Sequence, residues 1–189
     1  MCGRFGYSSD TVRTAAEIMN IQTPAGSYAM RDAHPGDITP VISSAGFEDC
    51  KWGYPGLSGK NLVFNTRSET ALEKNFFRNG ILHGRIIIAA SLFYEWDPSK
   101  QMYEFRREDS AVMFLAGIMD RFDGVKRYSV LTTAANPSMS QIHNRMPLIL
   151  ERNQLSDWIQ DDSTVFDILR QTPVLLHARR AGGQLSMFD

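Results

Sequence analysis

Hydrophobic and polar positions change from a helical to a strand-like spacing soon after the N-terminus. Between residues 11 and 20, apolar side chains recur every three or four positions, which predicts an amphipathic helix with Asp10 as its N-cap. From Ile38 onward, apolar residues alternate with polar ones or form short runs, as they do in strands. This pattern predicts strands over residues 38–44, 48–54, 62–67, 85–96, 102–107, 111–119, 127–133 and 174–177.

Helical spacing returns only in short segments between and after these strands. Those segments are 73–78, which Asn79-Gly80 is expected to end, and 136–142, 152–160 and 164–169. Many strands with interspersed short helices predict an α+β domain built on a mostly antiparallel, barrel-like sheet with short flanking helices. We expect this domain to span residues 1–177 and a flexible C-terminal tail to follow over residues 178–189.

The composition narrows the classes of function. A length of 189 residues, of which 43% are hydrophobic, fits one globular domain with a real core. With only Cys2 and Cys50, we expect no disulfide framework, no metal site and no cofactor, and Cys50 is interpreted as a core residue. No signal peptide or membrane-spanning stretch is visible, so we expect a cytoplasmic protein. Because the net charge is −1, any affinity for DNA must come from a local patch.

The first residues, Met1-Cys2-Gly3-Arg4-Phe5, carry the most distinctive chemistry. Cysteine is small enough for Met1 to be removed, which would leave Cys2 with an α-amine and a thiol on adjacent carbons. An α-amine, with a pKa of about 7.7–8, can attack an aldehyde, and the thiol can then close a thiazolidine ring. Because one residue carries both nucleophiles, the second step is intramolecular. The alternative is that a cysteine at this position has no special role.

Three further segments accompany this start in a fixed order. They are Phe64-Asn65-Thr66-Arg67-Ser68-Glu69-Thr70, Phe93-Tyr94-Glu95-Trp96 and His143-Asn144-Arg145-Met146-Pro147. Together with Cys2-Gly3-Arg4-Phe5, they resemble the SOS-response-associated peptidase (SRAP) family over roughly residues 1–150. Members of this family crosslink covalently to abasic sites in single-stranded DNA through an N-terminal cysteine.

The resemblance implies an SRAP-like fold and a DNA–protein crosslinking enzyme that protects an abasic lesion during replication or the SOS response. It also implies a cysteine-peptidase activity that removes the residue before Cys2, and a lyase-like activity. The expected partner is single-stranded DNA containing abasic sites. We expect the protein to act as a monomer associated with the nucleoid.

Four residues are candidates for catalysis, and Cys2 is the expected nucleophile. Glu95 follows an apolar run, and alternation places it on one face with Phe93, where a carboxyl group suits acid–base chemistry; a Glu on an edge strand paired with Lys or Arg is the alternative. His143 is the second candidate for proton transfer, with a structural role as its alternative. Asn65 could hydrogen-bond the Cys2 amine or the sugar, or it could cap a turn.

The resemblance further implies DNA contacts for Arg4, Arg67, Arg145 and Trp52. A guanidinium fork suits the geometry of a phosphate. Arg67 could instead pair with Glu69, and Arg145 could instead brace its own turn. The loop after Trp52 is shorter than is usual in the family and lacks a further tryptophan, so we expect little preference for a duplex junction.

The C-terminal residues Gln184-Leu185-Ser186-Met187-Phe188-Asp189 resemble the bacterial sliding-clamp-binding peptide. Gln184 would offer its amide to the rim of the clamp pocket, and Leu185, Met187 and Phe188 would fill that pocket. The alternative is a tail whose apolar residues fold back on the domain.

Two other functions are compatible with the sequence. A non-catalytic replication accessory would bind single strands and the clamp, and Cys2 would then be incidental. An amidohydrolase with an N-terminal nucleophile would also begin with cysteine, but it needs an acyl substrate and an oxyanion hole.

Overall fold

A computed structural model describes residues 2–26, 28–56, 59 and 61–181 of the chain. Its helices are α1 (Ser9–Met19), α2 (Asn75–His83), α3 (Leu155–Gln160) and α4 (Val165–Arg170). Its strands are β1 (Phe5–Tyr7), β2 (Arg31–Ala33), β3 (Ile38–Ser43), β4 (Gly46–Trp52), β5 (Tyr54–Pro55), β6 (Leu62–Val63), β7 (Asn65–Arg67), β8 (Arg85–Ala90), β9 (Leu92–Trp96), β10 (Met102–Arg106), β11 (Met113–Phe122), β12 (Val125–Ala134), β13 (Arg145–Pro147), β14 (Ile149–Leu150) and β15 (His177–Arg180). Short 3₁₀ turns cover Ser68–Thr70 and Arg152–Gln154.

Five of the described strands close into a barrel in the order β12, β4, β3, β8, β11 and back to β12. Neighbouring strands of this barrel are antiparallel except β12 and β4, which run parallel with Arg127 opposite Lys51. The short strands β7 and β13 also pair with β12. The predicted α+β class with a mostly antiparallel, barrel-like sheet is therefore confirmed.

A second sheet has the order β15, β10, β9, β1, β2. The single strand predicted over residues 85–96 is wrong, because the chain leaves the barrel at Ser91. The backbone N–H and the hydroxyl of Ser91 both donate to the Gly6 carbonyl oxygen, at 2.8 and 3.1 Å. This crossover separates β8 in the barrel from β9 in the second sheet, and it places Glu95 near the N-terminal segment rather than in the barrel wall.

Alternate residues of the barrel strands divide between two apolar cores. Ile86 and Ile88 belong to a core that also contains Phe93 of the second sheet. Ile87 belongs to the other core, which contains Trp158 of α3. The barrel wall therefore has apolar side chains on both faces, as its continuous apolar run predicts.

The first helix differs from the prediction in its N-cap. Ser8, not Asp10, holds this position: its hydroxyl accepts a hydrogen bond from the Thr11 N–H at 3.3 Å, and the Thr11 hydroxyl accepts one from the Ser8 N–H at 3.2 Å. This reciprocal pair satisfies two backbone donors that the helix leaves open. Asp10 instead lies in the first turn, where it forms an ion pair with Arg13.

The second helix continues through Asn79-Gly80, where the sequence predicts its end. Gly80 faces β11, and a Cβ atom there would lie 3.0 Å from the Ile118 Cβ and 3.1 Å from the Tyr54 hydroxyl. Glycine at this position therefore allows α2 to pack closely on the sheet and does not mark a turn.

A predicted helix and the predicted last strand also differ from the structure. Residues 136–142 form turns instead of a helix. The last strand begins at His177, and its pairing with β10 runs from Arg106 opposite His177 to Tyr103 opposite Arg180. Residues 178–180, assigned from the sequence to the flexible tail, therefore belong to the second sheet.

Candidate functional site

Cys2 lies just before β1 and is buried, with 1% of its surface exposed. Its Sγ atom is 3.9 Å from the Arg4 carbonyl oxygen. Burial, and then the negative charge of Glu95, raise the pKa of the Cys2 thiol from 9.0 to about 12. The thiol is therefore protonated at neutral pH, and a base or a nearby positive charge is needed to make it nucleophilic.

Asn65 is the first residue of β7 and contacts Cys2 directly. Its Nδ2 donates a hydrogen bond to the Cys2 carbonyl oxygen at 2.9 Å. Its Oδ1 is buried and accepts no hydrogen bond from the residues that the structure describes. β7 runs parallel to β12 with Asn65 opposite Val130, so the barrel wall fixes the position of this amide. The amide thus holds the backbone of Cys2 and keeps one acceptor available beside it.

Trp52, which was predicted to contact DNA, is buried in the core and exposes no surface for such a contact. None of its surface is exposed, and its ring stacks on Tyr128 with centroids 6.0 Å apart and an interplanar angle of 6°. Its Nε1 donates to the Phe64 carbonyl oxygen at 2.9 Å. Because Phe64 directly precedes Asn65, Trp52 supports the amide that contacts Cys2.

Glu95 lies in β9, between β10 and β1, so it is not on an edge strand. It is 3% exposed and stands opposite Tyr103. The Tyr94 N–H donates to the Arg4 carbonyl oxygen at 3.0 Å, which extends the pairing of β9 with β1 toward Cys2. This register explains why the Glu95 charge acts on the Cys2 thiol.

His143 ends the turn before β13 and is half-buried. Its Nδ1 lies 3.0 Å from the Arg145 N–H nitrogen and 3.2 Å from the Arg145 carbonyl oxygen. When Nδ1 lacks a proton it accepts from that N–H, and when it carries one it donates to that carbonyl. The His143 N–H donates to the carbonyl of Met139, which shares a core with Cys2. The backbone therefore holds Nδ1 in both protonation states.

The arginines predicted to bind phosphate differ in their surroundings. Arg67 is exposed, and its guanidinium makes no hydrogen bond or ion pair with the described residues. Arg145 forms a two-pronged pair with Glu69, Nη1 to Oε1 at 2.6 Å and Nη2 to Oε2 at 2.9 Å, and Nη2 also donates to the Thr132 carbonyl. This hydrogen bonding lowers the pKa of Glu69. Arg145 therefore ties β13 to Glu69 and to β12, and Glu69 pairs with Arg145 rather than with Arg67.

Arg4 contacts a residue that the sequence does not single out. Its Nε donates to Asp32 Oδ2 at 2.9 Å, and its Nη2 forms an ion pair with the same oxygen. Asp32 lies in the three-residue strand β2, which pairs with β1. No motif marks Asp32, because the pairing of β1 with β2 is what brings it to Arg4.

Among the described residues, no group of three or more His, Cys, Asp or Glu side chains could hold a metal ion. No helix in the described part of the chain is long and apolar enough to cross a membrane. The proposed clamp-binding residues Gln184, Leu185, Met187 and Phe188 lie outside the described residues.

Comparison with known proteins gives consistent matches. The sequence matches the family described as SOS response associated peptidase (SRAP) over residues 1–181. It is 32% identical to the abasic site processing protein YoaM of Bacillus subtilis over 191 residues, covering 90% of this chain and 84% of that protein. It is 30% identical to the abasic site processing protein YedK of Escherichia coli over 182 residues, covering 86% and 81%.

Solved structures agree with the fold. A protein from Bordetella bronchiseptica, 25% identical, superposes with a TM-score of 0.81 over 95% of this chain and 99% of its own. A protein from Bacteroides thetaiotaomicron, 21% identical, superposes with a TM-score of 0.79 over 95% and 91%. With the family match spanning nearly the whole sequence, this chain belongs to the SRAP family.

Proposed function

We propose that the chain processes abasic sites in single-stranded DNA by forming a covalent link to the lesion through Cys2. Relatives named for abasic-site processing support this class of substrate. The observation that carries the proposal is the convergence of distant segments on Cys2: the Asn65 amide donates to its carbonyl, and the Glu95 charge acts on its thiol. Burying an amide and a carboxylate beside a cysteine costs desolvation free energy, which a purely structural N-terminus would avoid.

The reaction balances without any further reactant. An abasic site is a cyclic hemiacetal in equilibrium with an open aldehyde. Once Met1 is removed, the α-amine of Cys2 attacks the aldehyde carbon, and the carbinolamine loses water to give an imine. The thiol sulfur then bonds to the imine carbon, and its proton ends on the nitrogen. The thiazolidine product keeps every atom of protein and DNA except one molecule of water.

Glu95 and His143 are the groups that move protons in this scheme. Glu95 takes the proton of the thiol, because its charge already acts on Cys2. His143 protonates the sugar ring oxygen or the leaving hydroxyl through Nε2, because Nδ1 is held by the Arg145 backbone. We assign to Asn65 Oδ1, which is buried and accepts no hydrogen bond from the described residues, a hydrogen bond from the α-amine of Cys2 that would orient this amine for attack.

The high pKa of the thiol supports a fixed order of bond formation. Burial and the negative charge of Glu95 both favour the protonated thiol while the amine attacks the aldehyde. A protonated imine then places a positive charge next to the sulfur, which lowers the pKa of the thiol and favours ring closure. The amine therefore reacts first and the thiol second.

Removal of Met1 must precede crosslinking, because an amide nitrogen is not a nucleophile. Autoproteolysis at this site would account for the peptidase in the family name. Intact masses of the wild-type and Glu95→Gln proteins, expressed in the same host, test this. Met1 retained only in Glu95→Gln would assign its removal to the site, whereas its loss from both proteins would assign it to a cellular aminopeptidase.

Intact mass spectrometry with an oligonucleotide carrying one abasic site tests the main proposal. We expect a product of protein without Met1, plus DNA, minus water. Cys50→Ala is the matched control and should give the same product, whereas Cys2→Ala should retain at most a reversible imine. A protein that keeps an N-terminal tag should form no adduct, and equal crosslinking by that tagged protein would refute the proposal.

The same experiment separates the other functions. Tight binding of single-stranded DNA without any adduct would favour a non-catalytic accessory. Labelling of Cys2 by an acyl electrophile, with no adduct to abasic DNA, would favour an amidohydrolase.

We further propose that residues 184–188 tether the domain to the bacterial sliding clamp. The support is the sequence of this tail, which follows the end of the described chain at Ala181. Short peptides of this kind bind at about micromolar affinity, and tethering raises the concentration of the domain near its substrate. Deleting residues 184–189 should leave crosslinking of free oligonucleotide intact and lower it only on clamp-loaded DNA.

Calorimetry with purified clamp provides the direct test of this tether. Leu185→Ala combined with Phe188→Ala should abolish binding, whereas Ser186→Ala, at the variable position of the motif, should not. Absence of tail-dependent binding at about tens of micromolar would refute the tether.

A further inference from the structure

Arg4, which is predicted to bind a DNA phosphate, already forms an ion pair with Asp32 in the free protein. Its Nε and Nη2 both donate to Asp32 Oδ2, the first at 2.9 Å. The guanidinium lies 4.4 Å from the centre of the Tyr94 ring, and Nη1 is 3.7 Å from the Met102 Sδ. The Nε–Nη2 edge of an arginine can grip a phosphate through two parallel hydrogen bonds. Asp32 therefore occupies the edge of Arg4 that a phosphate would use.

A DNA phosphate can replace Asp32 at Arg4, because this ion pair is not buried in the core. The side chains of Arg4 and Asp32 are 29% and 25% exposed, so water and DNA can reach both. Burial, and then the negative charge of Asp32, raise the pKa of Tyr94, so the ring hydroxyl keeps its proton near Asp32. If a phosphate takes Arg4, Asp32 is exposed enough to be hydrated. Replacement of one anion by another at Arg4 thus leaves no buried charge without a partner.

The charge of this pair matters because the two other arginines predicted to bind DNA differ in how available they are in the described part of the chain. Arg145 is committed to Glu69, and Arg67 is exposed. The whole chain has a net charge of −1. Affinity for single-stranded DNA depends on how many phosphates are neutralised and how many counterions they release. A carboxylate that neutralises Arg4 in the free protein lowers that number.

We infer that Asp32 competes with the DNA phosphate for Arg4 and thereby limits how tightly, and how salt-dependently, this chain binds single-stranded DNA. When a phosphate displaces Asp32 from Arg4, the freed carboxylate takes up a counterion. This uptake cancels part of the counterion release from the DNA and so reduces the salt dependence of binding. The inference rests on the proposed function only in assigning Arg4 to DNA, and it does not require the covalent step.

Equilibrium binding without crosslinking tests the inference. Fluorescence anisotropy of an undamaged single-stranded oligonucleotide is measured at several salt concentrations with proteins that carry Cys2→Ala. Asp32→Asn should bind about threefold or more tightly at low salt, and the slope of log affinity against log salt should steepen by up to about 0.7. Asp49→Asn is the matched control, because it makes the same change in net charge at an exposed carboxylate of β4.

The gain must depend on Arg4, so Arg4→Gln added to Asp32→Asn should abolish it. Equal gains in Asp32→Asn and Asp49→Asn would reduce the effect to general charge and overturn the inference. Weaker binding by Asp32→Asn would also overturn it, because Asp32 would then orient Arg4 toward the phosphate. Melting temperatures confirm folding, and Asp32→Ser repeats the test if Asp32→Asn folds poorly. Failure of the covalent proposal appears separately, as the absence of an adduct with abasic DNA.

Discussion

Replacing Glu95 with glutamine should raise the thiolate fraction of Cys2 but slow its crosslinking to abasic DNA. The amide has nearly the same shape, but it has no negative charge and is a poor acid or base. Removing the charge removes the second-largest cause of the raised pKa of the Cys2 thiol. That pKa should therefore fall below about 12 while burial keeps it above 9.0. More thiolate should form, yet crosslinking should be slower.

The magnitudes make the two effects distinguishable. With a pKa of about 12, on the order of one thiol in 10⁵ is ionised at neutral pH, and each unit by which the pKa falls raises that fraction about tenfold. A positioned general acid or base contributes about 10²–10⁴ in rate. We therefore expect crosslinking to slow by about 10²-fold or more, despite the larger thiolate fraction.

The assay needs a background in which Cys2 is the only thiol. Burial also raises the pKa of Cys50 to about 12, so both proteins should carry Cys50→Ala. The rate at which iodoacetamide alkylates Cys2 at neutral pH then reports its thiolate fraction, and single-turnover gels give the crosslinking rate. An unchanged alkylation rate would refute the electrostatic coupling. A rate that falls only in proportion to the loss of folded protein would show that Glu95 is structural.

Three further predictions test the supports of the site and the core. Trp52→Phe removes the hydrogen bond to the Phe64 carbonyl oxygen, so the free energy of unfolding, measured by chemical denaturation, should fall by about 1–3 kcal/mol. Crosslinking should also slow, because Phe64 directly precedes Asn65; an unchanged rate would contradict the idea that Trp52 helps to position Asn65. Arg67→Gln should weaken binding to single strands and lower the salt slope by about 0.7, whereas Arg145→Gln should mainly lower the melting temperature; equal slopes would contradict this division. Burial raises the pKa of Cys50 from 9.0 in the unfolded chain to about 12 in the folded one, so the unfolded chain loses this proton at lower pH. The free energy of unfolding should therefore decrease between these two pH values, by up to about 1.4 kcal/mol per pH unit. If the free energy of unfolding of Cys50→Ala decreases as steeply with pH as that of the wild type, this prediction is contradicted.

The fold class could be predicted from the sequence because most strands have a clear apolar pattern. The predicted strand over residues 85–96 was wrong because every residue of β8 is buried, so no change in periodicity marks the break at Ser91. Gly80 was misread for a related reason. Glycine signals either a turn or a close approach of two elements, and only the packing of α2 on β11 distinguishes them.

The burial of Trp52 could have been predicted, since the signal was present. Cys50 and Trp52 are two residues apart in β4, so they lie on the same face of the strand. Cys50 was already interpreted as a core residue, and the same periodicity places Trp52 beside it. The partnership of Arg4 with Asp32 had no such signal, because β2 is too short to show a pattern and its pairing with β1 is not local.

The long strand β12 explains how separate motifs become one site. Val130 stands opposite Asn65 on β7, and Ala134 stands opposite Arg145 on β13, so one strand sets the distance between both motifs. The order and spacing of the motifs indicate which residues come together, but they do not indicate which atoms of those residues already form hydrogen bonds within the protein. The amide of Asn65 uses its nitrogen to hold Cys2, and Arg145 uses both terminal nitrogens to hold Glu69. Chemistry at this site must therefore be assigned atom by atom: Arg145 is committed to Glu69, whereas Arg67 is exposed and remains the candidate for binding phosphate.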